Sequence, residues 1–181
     1  MVDYITRGDL LRNVGTVTEQ ASVVRKAEAQ SSSGATFLSH SSKDSDLLPG
    51  VIALLERHGA VVYVDKKDES LPPYTNRETA IKLRERIKIS RKFILLTTKN
   101  SKDSRWVPWE LGLSDGFKSS QNVAILPSVD KATETSWTNT EYLGIYNRIV
   151  YGNLQGHSGT VFMVWDQDRN EATELSAWLK R

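Results

Sequence analysis

The residues best suited to chemistry fall in two short stretches. In Phe37-Leu38-Ser39-His40-Ser41-Ser42-Lys43-Asp44 an apolar strand stops abruptly in hydroxyl residues just ahead of a helix start. Further on, Ser104-Arg105-Trp106-Val107-Pro108-Trp109-Glu110-Leu111 sets a carboxylate behind two tryptophans at the start of another helix. Hydroxyls and backbone N–H groups at a helix N-terminus suit phosphate or ribose recognition. The same residues serve equally well in a capped turn, where Ser and Asp satisfy orphan helix donors. On a helix Trp106 and Glu110 share a face, while Trp109, Leu113 and Phe117 follow the inward stripe. A carboxylate in the opening turns is favoured by the helix dipole. Trp106 would partly desolvate it and still leave it able to accept hydrogen bonds from sugar hydroxyls. A solvated helix glutamate is the commoner outcome for any single Glu.

Competing chemistries fit poorly. A phosphoryl-accepting domain needs acidic residues at the end of its first strand and an Asp ending its third, where this chain has Ser39-His40 and Thr97-Thr98. A flavodoxin-type phosphate loop carries more Thr and a Gly. His40, His58 and His157 lack metal-ligand spacing. No Gly-x-Ser-x-Gly elbow accompanies His40 and its serines, and neither a dinucleotide Gly-x-Gly-x-x-Gly nor a Walker loop occurs. With no cysteine, thiol nucleophiles, thiolate metal sites and disulfides are excluded. A formal charge of +2, with basic and acidic residues interspersed, implies no nucleic-acid partner. No apolar run approaches membrane-spanning length and no signal-type N-terminus is present, so a cytoplasmic location without a membrane partner is expected.

Strands alternating with helices must hold these residues. Thr36–Leu38, Ala60–Val64, Phe93–Leu96 and Val123–Leu126 read as strands, the last stopped by Pro127. Between them lie a helix capped by Asp44 or Ser45 and ended by Gly59, a helix from Asn76 to Ile89, and a helix from Ser104 or Arg105 to Lys118. Arg148–Tyr151 and Thr160–Trp165 are further apolar runs, and Thr173–Lys180 is a closing helix. This alternation predicts an α/β protein with a central parallel sheet flanked by helices, its ligand site at the carboxyl ends of the strands. Residues 1–34 read as an N-terminal helical extension, joined to the main domain at 35–181 by a flexible Ser31-Ser32-Ser33-Gly34 joint.

The serine-rich first loop, Tyr63-Val64-Asp65 closing a strand, the Pro-bearing loop after it and the Ser-x-Trp…Glu-Leu segment resemble, in order and spacing, the Toll/interleukin receptor (TIR) family. The similarity is to its bacterial, NAD-cleaving branch and covers roughly 36–127. It implies a flavodoxin-like fold and an NAD+ nucleosidase that breaks the nicotinamide–ribose bond. Glu110 would then be the catalytic carboxylate. Ser39, His40, Ser41 and Lys43 would bind substrate together with Asp65, Tyr74 and Trp106. NAD+ would be the substrate, with no cofactor and no metal. The resemblance to anti-phage signalling members further implies self-association through TIR surfaces, and an ADP-ribose-derived, cyclic or linear, messenger read by a separate effector. Two alternatives stay open: a non-enzymatic adaptor module, and a nucleoside-processing N-glycosidase or deoxyribosyltransferase. The loop Lys66–Thr75, stiffened by Pro72-Pro73, is expected to gate the site.

Overall fold

In this computed structural model the residues described are 2–12, 14–65, 77–104, 106–131 and 141–181. The chain opens with β1 (Val2–Asp3), β2 (Ile5–Thr6), α1 (Arg7–Arg12) and α2 (Val17–Ala29). It continues through β3 (Thr36–Ser39), α3 (Leu48–Arg57), β4 (Val62–Val64), α4 (Arg77–Ile89), β5 (Lys92–Thr97), α5 (Trp106–Phe117) and β6 (Val123–Val129). The last part comprises β7 (Asn147–Asn153), β8 (Thr160–Asp166), β9 (Glu171–Glu174) and α6 (Leu175–Lys180).

Every residue of β3, β4, β5 and β6 is buried, as the apolar runs at their centres require of strands covered on both faces. They lie in the order β4-β3-β5-β6-β7-β8-β9, parallel as far as β7, with β8 and β9 added antiparallel. The sheet is thus mixed but mainly parallel, flanked by helices, and the α/β expectation holds.

Strand alternation divides the core in two. Leu38, Val62, Val64, Ile94, Leu96, Ala124 and Leu126 face α3 and α6. Phe37, Tyr63, Phe93, Leu95, Val123 and Ile125 face α4 and α5. On that second face Phe37 stacks on Phe93 at 5.6 Å and meets Tyr63 at 5.4 Å between ring centroids. α3 stops at a residue with φ of +92°, which Gly59 supplies without steric cost.

Several expectations need correction. The N-terminal segment is not separate from the sheet. β1 pairs with Tyr151 and Gly152 of β7, and β2 pairs with Ser128 and Val129 of β6. Leu10 of α1 and Ala27 of α2 belong to the core. α1 lies so close to α3 that a Cβ on Gly50 would stand 2.0 Å from the Leu10 carbonyl oxygen. The Ser31–Gly34 joint is an ordered turn: Ser32 is buried, its carbonyl accepts from the Ala35 amide, and the Gly34 amide donates to Ile89.

Pro127 does not stop β6. By that point β6 has left β7, which it meets only at Ala124 and Ile125, so a missing N–H interrupts no ladder on that side. Residues 171–174 form a strand in place of the first turn of the closing helix. Ser41, not Asp44 or Ser45, caps the turn after β3. That turn is a 3-10 helix over Ser42–Leu47, and α3 begins only at Leu48.

Candidate functional site

The site is assembled at the carboxyl ends of the parallel strands, where β3 and β5 hand over to loops. Ser39 is the last residue of β3 and lies on the Phe37 face by alternation, toward α5. α5 turns Val107, Glu110, Leu111 and Ser114 inward. Val107 and Leu111 bury against the sheet, and the helix period then delivers Glu110 to the strand end. Ser39 Oγ donates a hydrogen bond to Glu110 Oε2 across the gap.

Glu110 is 1% exposed, a full departure from the solvated helix glutamate. The expected inward stripe Trp109–Leu113–Phe117 holds in part, with Leu113 and Phe117 packed, partly buried, against the core. Trp109 is exposed, and Arg84 of α4 covers the Phe117 ring at 5.5 Å. Val107 and Leu111 share that core with Leu113 and Phe117, and apolar periodicity alone does not reveal that Glu110 lies among them.

The other expected residues divide. His40 and Ser41 are buried directly after Ser39. Ser41 accepts from the Lys43 amide at 3.4 Å and from the Asp44 amide at 2.9 Å, so it shapes the turn. Lys43 points its ammonium to Asp103 at 2.8 Å, and that hydrogen bond lowers the Asp103 pKa. Trp106 opens α5 and meets Trp109 edge-on at 5.3 Å, one turn before Glu110. Asp65 follows β4 but is engaged elsewhere: it accepts from Tyr63 Oη at 2.7 Å and from Arg86 of α4. Burial, then the bond to Asp65, raises the Tyr63 phenol above its ordinary pKa. Tyr74, the Lys66–Thr75 loop and the Asn76 cap lie outside the described residues.

Two features escaped the sequence reading. Thr97, ending β5, is buried on the same strand face as Ser39, and its hydroxyl has no hydrogen-bond partner among the described residues. Asp44 is fully buried and gathers three segments. Thr98 Oγ1 donates to its Oδ2 at 2.7 Å, Asn100 Nδ2 to its Oδ1 at 2.7 Å, and Arg7 Nη1 to its Oδ1 at 3.3 Å. Arg7 also reaches Asp46 at 2.8 Å. The loops after β3 and β5 are thereby tied to each other and to the N-terminal segment. Arg7 and Asp44 are 37 positions apart with no shared pattern, so no local signal could have joined them.

Chemically, the arrangement offers a desolvated carboxylate with a serine hydroxyl on one oxygen, next to a hydroxyl-rich turn and an aromatic pair. Such a group interacts strongly with a sugar ring that gains positive charge, because little water screens it.

The sequence model of the TIR domain matches residues 36–160. A Bacillus cereus protein named probable 3' cyclic ADP-D-ribose synthase ThsB' is 39% identical over 120 residues, covering 65% of this chain. The chain spans 61% of that relative's length. The family match starts at the first residue of β3, takes in the hydroxyl turn and the helix that carries Glu110, and ends as β8 begins; the chain belongs to the TIR domain family.

Proposed function

We propose that the protein cleaves the nicotinamide–ribose bond of NAD+ at the Ser39–Glu110 strand edge. The observation that carries this reading is the burial of Glu110 at the carboxyl end of the sheet, with Ser39 donating to it. A helix glutamate with only a structural task has no reason to lie under the sheet edge, since burying a carboxylate is costly. Its location is where parallel α/β sheets bind ligands. Membership of the TIR domain family and the printed name of the Bacillus relative support NAD+ as the source of the ADP-ribosyl group.

Bond breaking passes through an oxocarbenium-like ribose, as in glycoside hydrolysis. Glu110 accepts hydrogen bonds from ribose hydroxyls and opposes the charge that develops on the ring, an interaction stronger in the transition state than in the ground state. Ser39 holds the carboxylate in register for this. Nicotinamide leaves as a neutral molecule once the bond electrons pass to its ring nitrogen, so no strong general acid is required. Capture of the ribosyl cation within the same molecule gives a cyclic ADP-ribose, the product class in the relative's name; capture by water gives the linear form. The product would act as a messenger for a separate effector, and the protein would self-associate through TIR surfaces.

Incubating the purified protein with NAD+ and, separately, with nucleosides tests the reading. Nicotinamide release from NAD+ alone is the expected result. Base release from nucleosides alone would make the protein a nucleoside N-glycosidase, and no release from either would leave an adaptor.

A further inference from the structure

The sheet has a second polar concavity, at the edge remote from Glu110. Lys92, Asn122 and Asn147 stand at or just before the amino-terminal ends of β5, β6 and β7. With Arg169 from the β8–β9 turn and Trp178 and Arg181 from the α6 end, they line a cavity of about 350 Å³. We propose that this cavity binds a small phosphate-bearing ligand, with Lys92 as its central cation.

Lys92 is 2% exposed, and among the described residues no carboxylate lies within ion-pair distance of it. Its ammonium donates to Asn122 Oδ1 at 2.6 Å and lies 4.5 Å from the centre of the Trp178 ring. Those two contacts do not offset its surroundings. Burial, followed by repulsion from Arg91 and Arg181, pulls its pKa down to about 8. Arg91 is held near it by a hydrogen bond to the Leu179 carbonyl.

The two carboxylates on the rim are arranged otherwise. Asp166 accepts the Asp168 and Arg169 amides in its own turn at 3.1 and 3.2 Å and lies 3.8 Å from the Arg169 guanidinium, and Glu171 is exposed opposite it across the hairpin. Lys92 and Arg181, with Arg169 beside Asp166 at 3.8 Å, therefore surround the cavity together with Asn122 and Asn147, whose amide nitrogens donate to Ser119 Oγ and the Ser120 carbonyl at 3.0 and 3.2 Å and keep a second N–H each. That geometry suits a tetrahedral oxyanion better than a planar carboxylate, because donors from different directions can each take one oxygen. The volume lies near the low end of ligand pockets, roughly 300–1,000 Å³. The cavity accommodates a phosphosugar or mononucleotide, and it lies at the strand ends opposite those that carry Ser39 and Glu110.

The test is a titration with inorganic phosphate at constant ionic strength, held by sodium chloride. Side-chain amide signals of Asn122 and Asn147 are followed by NMR and the melting temperature by calorimetry. Saturable shifts and a raised melting temperature are expected in wild type and in Ser39→Ala, with both effects lost in Lys92→Met. Should Lys92→Met not fold, the double variant Arg169→Gln/Arg181→Gln, altered at exposed positions, decides. It should bind phosphate about tenfold or more weakly, the worth of one charge-assisted hydrogen bond. No saturable shift in wild type at millimolar phosphate, unchanged affinity in the variant that folds, or loss in Ser39→Ala, each overturns the proposal.

Discussion

At the scale of single residues, burial decides what Glu110 and Ser39 can contribute. A carboxylate shielded from water acts on nearby charge at a low effective dielectric, so removing its charge should be felt in rate more than in fold. Glu110→Gln keeps the shape and can still accept from Ser39. The expected outcome is an unchanged melting temperature within a degree or two and a loss of NAD+ cleavage by roughly 10²–10³, read as nicotinamide release. Ser39→Ala removes a hydrogen bond to a buried carboxylate and should lower stability by about 1.5–3 kcal/mol, measured by urea denaturation. These two positions were legible in the sequence because each is announced locally, one by a strand breaking into serines, the other by a tryptophan one turn ahead. Asp65 carried a similar local signal, yet Tyr63 and Arg86 occupy it, and Arg86 lies 21 positions away where no loop reading looks. The depth of Glu110 was also illegible, since apolar spacing points to Leu113 and Phe117 and gives no sign that a glutamate lies more deeply buried than either.

At the scale of elements, the loops around the site are held from outside by the N-terminal segment. Arg7 neutralises the buried Asp44, and Asp44 in turn holds Thr98 and Asn100 of the loop that leads toward α5. Arg7→Ala should lower stability by roughly 1.5–3 kcal/mol, with Arg7→Lys recovering part of it. Turnover of NAD+ should fall in Arg7→Ala while the KM changes little, because the turn after β3 shifts relative to Glu110. A KM effect alone in steady-state kinetics would count against this coupling. Gly50→Ala tests the same strut from the other side. A methyl group cannot coexist with the Leu10 carbonyl at 2.0 Å, so α1 must move and carry Arg7 with it. A stability loss of at least 1–3 kcal/mol is expected, as for overpacking, with the same fall in turnover. The extent of β6 was misread from Pro127 for an instructive reason. Each backbone N–H serves one neighbouring strand only, and at Pro127 the β7 neighbour has already turned away.

For the molecule as a whole, two lysines leave a mark on pH dependence. Burial pulls both Lys92 and Lys118 down to about 8, whereas in the unfolded chain each keeps its ordinary higher value. Between those limits the unfolded state binds more protons, so stability must rise with pH. The rise begins near pH 8 and is opposed above about pH 10, where Tyr63 and Tyr146 keep in the fold protons that the unfolded chain releases. Chemical denaturation at intervals from pH 7 to 10 should show the increase, and Lys92→Met should remove part of it. A flat profile would contradict the burial of these amines. Removing residues 1–33, so that the chain begins at Gly34, deletes β1, β2 and the core side chains Leu10 and Ala27. Loss of a cooperative melt is expected from calorimetry. The pairing of β1 and β2 also dictates a timetable for synthesis. β1 and β2 pair in the sheet with residues between positions 128 and 152, so these early strands wait for partners that are made more than a hundred residues later. Closing so long a loop is slow, and in the interval the open margins of β6 and β7 are free to accept a wrong strand.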